Sequence, residues 1–215
     1  VGGSVPTPRY RLTAKGIQNS LDELALRDSR IARALHLVDY PEERRRSGGV
    51  DALVRTVIGQ QVSTHAARAI TLRLVDVLGG ELGVSAIMAA SDEALRGAGL
   101  SRQKSSYLRA LAEAVSGEML VVDDLPTLSD EQVITLITGV KGFGVWSAQM
   151  YLMFSLGRLD VWPTGDLAVR AGFGRIMTLS DRPTPKQTHT LAEPFRPHRS
   201  ALALLCWKFY SEAPL

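Results

Sequence analysis

The stretch LITGVKGFGVWSAQ, residues 136–149, carries more structural information than any other part of this chain. Apolar Leu136 and Ile137 end one helix, the segment Gly139-Val140-Lys141-Gly142-Phe143-Gly144 turns, and a second helix follows at once. Gly142 and Gly144 let the backbone take a tight hairpin with positive φ and no Cβ in the way. The start of the second helix then presents main-chain N–H groups that have no partner within the helix and can bind a phosphate oxygen. A helix–hairpin–helix of this kind grips a nucleic-acid backbone without reading its sequence. Taken alone, the Gly-x-Gly pair fits an ordinary interhelical turn better, because glycine turns are common.

Outward from the hairpin, helical periodicity dominates. Residues 52–78 place Leu53, Val54, Val57, Ile58, Val62, Ala66, Ile70, Leu74 and Leu78 in steps of three and four, one buried helical face closed by Gly79-Gly80. Residues 105–116 put Leu108, Leu111, Ala112 and Val115 on one face, Asp92 opens a short helix, and Ser129 is a fitting N-cap for the next. Ser147–Leu156 reads as a buried helix, a further one starts near Asp166, and residues 199–212 carry a stripe of Leu202, Leu205, Cys206 and Phe209. The strongest strand candidate is MLVVDDL, residues 119–125. Residues 1–9 and 180–188 are rich in Pro and turn formers and read as irregular. The expectation is an all-α chain of nine or ten helices.

Composition limits the function classes. With 215 residues and 45% hydrophobic content, the chain can bury a core without covalent staples. One cysteine, Cys206, excludes an intramolecular disulfide, a Cys₄ zinc site and a four-cysteine iron–sulfur cluster. No apolar run is long enough to span a membrane and the start has no signal-peptide core, so no membrane partner and a cytoplasmic location are expected. A net charge of +3, with twenty Arg and five Lys, suits a phosphate-facing surface without identifying one. His36, His65, His189 and His198 show no metal-ligand spacing, and Arg44-Arg45-Arg46 reads as a solvated face.

Twenty-two residues past Gly144, in DVWPTGDLAVRAGFG (160–174), Pro163 sets a rigid turn and Asp166 stands at the start of a helix. An Asp there is ordinarily an N-cap. It does chemistry only if the carboxylate also faces a cleft, and spacing leaves both readings open.

Residues 136–170, from the hairpin through Asp166, resemble the signature of the helix–hairpin–helix DNA glycosylase superfamily. VIGQQVSTHAARAI (57–70) is similar to its early Gly-Gln helix and GAGLSRQKSSYLRALAEA (97–114) to its Gly-Leu-Ser-x-x-Lys segment. FRPHRSALALLCW (195–207) is similar to the closing Arg-Ser helix of the 3-methyladenine DNA glycosylase II branch. The likeness runs in order from about residue 45 to residue 210.

The resemblance implies two helical subdomains with a cleft between them. One is a central bundle over 49–158, with the hairpin at about 133–150; the other joins 1–48 to 159–215 and carries the catalytic aspartate. It implies that Asp166 acts on the positive charge that develops on deoxyribose as the N-glycosidic bond breaks. It also implies that the nucleotide is first flipped out of double-stranded DNA. Bifunctional members place a nucleophilic lysine two residues past the hairpin's second glycine; here that residue is Trp146, so base removal without strand cleavage is expected.

Trp146, Trp207, Met150 and Tyr210 match base-pocket positions, where electron-rich rings suit cationic alkylated purines. Aromatics at helical spacing also serve as plain core. Gln61, with Gln60 beside it, matches the wedge that fills the gap left by the flipped base; a polar helix face is the alternative. Lys141, Gly142, Phe143, Gly144 and Val145 would meet the DNA phosphate. Main-chain carbonyls of Thr138, Val140 and Phe143 would hold a structural Na⁺ or K⁺, with no cofactor required and no iron–sulfur cluster.

The expected protein is therefore a monomeric, monofunctional glycosylase of base excision repair acting on alkylated purines. It would be nucleoid-associated in a bacterium and nuclear in a eukaryote. The alternatives are the same scaffold with uracil, hypoxanthine or oxidised-purine specificity, or a non-enzymatic DNA-binding module.

Overall fold

The computed structural model describes residues 9–213. Its α-helices, in chain order, are α1 (Ala14–Arg27), α2 (Ser29–Val38), α3 (Gly49–Gly59), α4 (Thr64–Val77), α5 (Val84–Ala89) and α6 (Asp92–Gly97). They continue with α7 (Arg102–Ser116), α8 (Asp130–Thr138), α9 (Val145–Phe154), α10 (Leu167–Ile176), α11 (Pro185–Ala192) and α12 (Arg199–Glu212). Short 3₁₀ turns lie at Val122–Thr127 and Glu193–Phe195. The fold is all-α, as the periodicity predicts.

Most helix starts are marked by a side-chain cap. Ser63, Ser91, Ser101, Ser129, Thr13 and Thr184 each accept a main-chain N–H of the first turn that follows. Each such cap contributes about 1 kcal/mol. Ser129 and Thr184 do so in full capping boxes with Gln132 and Gln187.

The described residues form twelve α-helices where the periodicity predicts nine or ten, and three further sequence expectations are corrected. The face over residues 52–78 is not one helix but two. Gln60 leaves α3 in extended conformation, Gln61 turns to φ 55°, and Ser63 caps α4. Val62, expected to be buried, is 37% exposed at this break. The segment 119–125 forms no strand, and none occurs among the described residues. Leu120 and Val122 are buried while Met119 and Val121 are exposed, so the alternation is real. An isolated extended segment has no partner for its ladder bonds, however, and the chain closes into a 3₁₀ turn that buries Val122 and Leu125 three residues apart. Residues 180–188 are irregular only as far as Thr184; Pro185 at the first helical position then opens α11. Most of residues 1–9, the other segment read as irregular, lies outside the described residues.

Two compact units result, Arg46–Tyr151 and Arg9–Arg45 with Leu152 onward. In the first, α3 packs on α4 and α7 and buries Leu53, Val54, Val57 and Ile58, while α7 also packs on α5 and buries Leu108 and Leu111. In the second, α12 is the central element, packed on α1, α2 and most extensively on α10. Its residues 199–206 are buried in unbroken succession, so the stripe read from sequence is a whole helix circumference.

Candidate functional site

In the first unit the hairpin uses positive φ at Gly142 alone; Gly144, expected to share it, does not take that conformation. Gly139 continues α8 and donates to the Thr135 carbonyl, Phe143 donates to the Val140 carbonyl at 3.1 Å, and Gly142 sits at φ +96°. Gly144 has open space where a side chain would stand, which leaves the start of α9 accessible. Val145 is exposed, and Phe143 is buried and anchors the turn from below. Lys141 is exposed and donates to the Ser106 hydroxyl at 3.1 Å.

Two contributions to the hairpin come from helices remote in sequence. The Tyr107 ring lies beneath Gly142, so close that a Cβ there would stand 2.3 Å from the ring. The Gln60 side-chain amide donates to the Gly142 carbonyl at 2.9 Å. Gln60 is thus tied to the hairpin, while Gln61 is exposed with a left-handed backbone that Gln seldom adopts. The lysine of the Gly-Leu-Ser-x-x-Lys segment, Lys104, donates to the Ile58 carbonyl at 2.7 Å near the end of α3. Its burial there lowers its pKa from the ordinary lysine value.

Sequence reasoning missed Tyr107, which carries no motif. Gly142→Ala is expected to lower stability by about 2 kcal/mol through positive-φ strain and ring overlap. Thermal unfolding checks this; an unchanged melting temperature would contradict the Tyr107 contact.

Trp146 and Met150, one helical turn apart on α9, line a cavity of about 490 Å³ within the same unit, with Val62, Arg55 and Arg68 on other walls. Met150 is buried and Trp146 is 45% exposed. The sequence expectation placed both in a base pocket, and they do share one concavity.

In the second unit Asp166 is half-buried and caps α10 through Oδ1, which accepts the Val169 N–H at 2.9 Å. The same Oδ1 accepts the indole N–H of Trp207 at 3.1 Å. The two readings of Asp166 are therefore not exclusive: it is an N-cap, and it also has a tertiary partner that fixes the carboxylate. The Trp207 ring lies 6.0 Å from that of Phe154. Tyr210, one turn further along α12, is exposed.

The loop leading to Asp166 is held by residues that the Arg-Ser motif supplies. Arg199 is 5% exposed and grips Asp160 with two nitrogens, Nε to Oδ1 at 2.8 Å and a guanidinium N–H to Oδ2 at 2.9 Å. Another of its nitrogens reaches Glu193 at 2.9 Å. The Ser200 hydroxyl accepts the Val161 N–H at 2.9 Å and donates to the Arg158 carbonyl at 2.7 Å. Trp162, passed over in the sequence, is buried edge-on against Phe173 and donates to the Thr188 carbonyl at 3.2 Å.

The register of α10 on α12 depends on Gly172. A Cβ at that position would come within 2.1 Å of the Cys206 carbonyl oxygen, so only glycine permits the approach that sets Asp166 beside Trp207. The Cys206 thiol is fully buried, and burial, with the Asp166 charge second, pushes its pKa well up.

A hairpin that opens a helix N-terminus, followed by a carboxylate tethered at the head of a later helix, fits enzymes that act on nucleic acid. Residues 54–197 match the family described as HhH-GPD superfamily base excision DNA repair protein, and the chain belongs to that superfamily. Among curated relatives, DNA-3-methyladenine glycosylase 1 of Schizosaccharomyces pombe is 34% identical over 161 residues, 74% of this chain and 71% of that protein. The solved S. pombe 3-methyladenine DNA glycosylase in complex with abasic DNA superposes with a TM-score of 0.78 at 30% identity, covering 88% of this chain and 95% of that one. A DNA-3-methyladenine glycosidase from Bacillus halodurans gives 0.80 at 30% identity, covering 89% and 88%.

Proposed function

We propose that this protein is a monofunctional DNA glycosylase of base excision repair. It flips alkylated purines of the 3-methyladenine and 7-methylguanine type out of double-stranded DNA and hydrolyses the N-glycosidic bond, leaving an abasic site. The observation that carries this reading is Asp166, a carboxylate held in one orientation by the Val169 N–H and the Trp207 indole. A carboxylate so fixed stabilises the oxocarbenium-like charge on the sugar or orients the attacking water, without reorganising during the reaction. N3- and N7-alkylated purines are already cationic leaving groups, which reduces the need for a general acid. Trp146, Met150, Trp207 and Tyr210 are assigned to base recognition and Gln61 to the wedge, a role for which its exposure and strained backbone suit it.

With Trp146 where a Schiff-base lysine would stand, the product is an intact strand with a missing base. DNA is held at the hairpin by Lys141 and the main-chain N–H groups around Gly144 and Val145. The carbonyls of Thr138, Val140 and Phe143 are assigned to a monovalent cation. Val140 keeps a second lone pair beyond its bond from Phe143, while the Gly142 carbonyl is taken by Gln60. No helix among the described residues is long and apolar enough to cross a membrane.

The test is incubation of the purified protein with methylated duplex DNA. Free 3-methyladenine should appear in the supernatant, and the DNA strand should stay whole until alkali cleaves the abasic sites. Salt-sensitive duplex binding with no base released would instead mark a non-enzymatic DNA-binding module.

A further inference from the structure

Beside the hairpin, but separate from the cavity of Trp146 and Met150, the first unit holds a second concavity of about 550 Å³ along one face of α7. Its walls carry the cations Arg96, Arg102, Arg109 and Lys141 against the carboxylates of Asp92 and Glu113. Arg109 is committed to structure: it pairs with Asp92 at 2.9 Å and donates to the Ala90 carbonyl at 2.7 Å. Arg96 pairs with Glu93 at 2.9 Å. The Arg102 side chain makes no hydrogen bond or ion pair among the described residues, although it lines the cavity from the first turn of α7.

One turn further along α7, Ser105 lines the same cavity. It is 7% exposed, and its hydroxyl has no partner among the described residues. Buried hydroxyls are nearly always bonded, so an unpartnered one at the wall of a cationic concavity marks a place built for an acceptor. Lys141 closes one side through its bond to Ser106. Since Lys141 directly precedes Gly142, the concavity adjoins the hairpin turn.

We propose that this concavity is a second phosphate subsite, taking a backbone phosphate of the DNA held at the hairpin. The proposal rests on the DNA-binding reading given above. Arg102 supplies a planar fork for two phosphate oxygens and the Ser105 hydroxyl donates to one of them. A polyanion fits better than an isolated anion, because a single strand offers one phosphate to the hairpin and a neighbouring one to Arg102. The subsite positions the duplex and reads no base.

The experiment measures binding of the full chain to an undamaged duplex by fluorescence anisotropy over a range of salt concentrations. Arg102→Ala should weaken binding about fivefold and reduce the slope of log K against log salt by about 1. Ser105→Ala, which keeps every charge, should weaken binding about threefold with the slope unchanged. Arg33→Ala, at an exposed position of α2, makes the same charge change elsewhere and should leave the slope as it is. Affinity and slope equal to wild type in both Arg102→Ala and Ser105→Ala overturn the proposal.

Inorganic phosphate separates the two sources of the same chemistry. If it raises the melting temperature of wild type but not of Arg102→Ala while duplex affinity is equal in the two, the site takes free phosphate and the DNA assignment falls. Base release by wild type is read in parallel. Its absence, with the Arg102 effect present, removes the glycosylase reading and supports the phosphate subsite.

Discussion

Asp166→Asn loses base release by about a thousandfold while the protein folds and binds duplex DNA as before, because removing a fixed charge that acts on the transition state costs rate rather than affinity. The substitution isolates that charge. Asn is as good an N-cap as Asp, so the bond from Val169 persists and α10 keeps its start. The amide oxygen still accepts the Trp207 indole N–H, so the side chain stays in its orientation. What disappears is the negative charge that the proposed mechanism sets against the sugar. Single-turnover release from methylated duplex, read beside anisotropy and circular dichroism, makes the comparison. A variant with wild-type release would remove Asp166 from the mechanism.

Arg199→Ala lowers the stability of the folded chain by about 3 kcal/mol, the low end of the cost of breaking a buried ion pair. The low end applies because Arg196 still reaches Asp160 at 2.7 Å and leaves that carboxylate partly compensated. For a chain of this size the loss corresponds to a fall of about 10 °C in melting temperature. Base release should fall as well, because residues 158–161, clamped by Arg199 and Ser200, lead directly into the turn that carries Asp166. Arg199→Lys keeps the charge without the two-nitrogen grip and should recover only part of the stability. A shift of less than about 2 °C in the alanine variant would show that the grip on Asp160 is dispensable.

The features legible in the sequence are those whose cause is local. Gly142 and Gly144 announce a turn because their backbone freedom needs no neighbour to explain it. Asp166 stands out because Pro163 and a helical pattern bracket it within a few residues. Ser129 announces α8 by its own side chain. The break between α3 and α4 was legible too, in Gly59 and Ser63, but hydrophobic spacing that continues across it masked the signal.

Features with a tertiary cause were out of reach. Tyr107 lies thirty-five positions from Gly142, and no spacing rule brings a ring beneath a hairpin. Gly172 reads as one more glycine in a helix until the Cys206 carbonyl is placed 2.1 Å from where its Cβ would be. The tie between Trp207 and Asp166 spans forty-one positions, and only the packing of α10 on α12 creates it. Residues 119–125 show the reverse case: the alternating pattern of a strand is present, but among the described residues there is no neighbouring strand to receive it.

The placement of Cys206 has a consequence for an enzyme of alkylation repair. The electrophiles that methylate purines also methylate sulfur, and they react with the thiolate far faster than with the thiol. The only sulfhydryl of this chain is closed off from solvent on the inner side of α12, and its surroundings hold it in the unreactive protonated form. The repair protein therefore presents no thiolate to the reagents whose damage it removes.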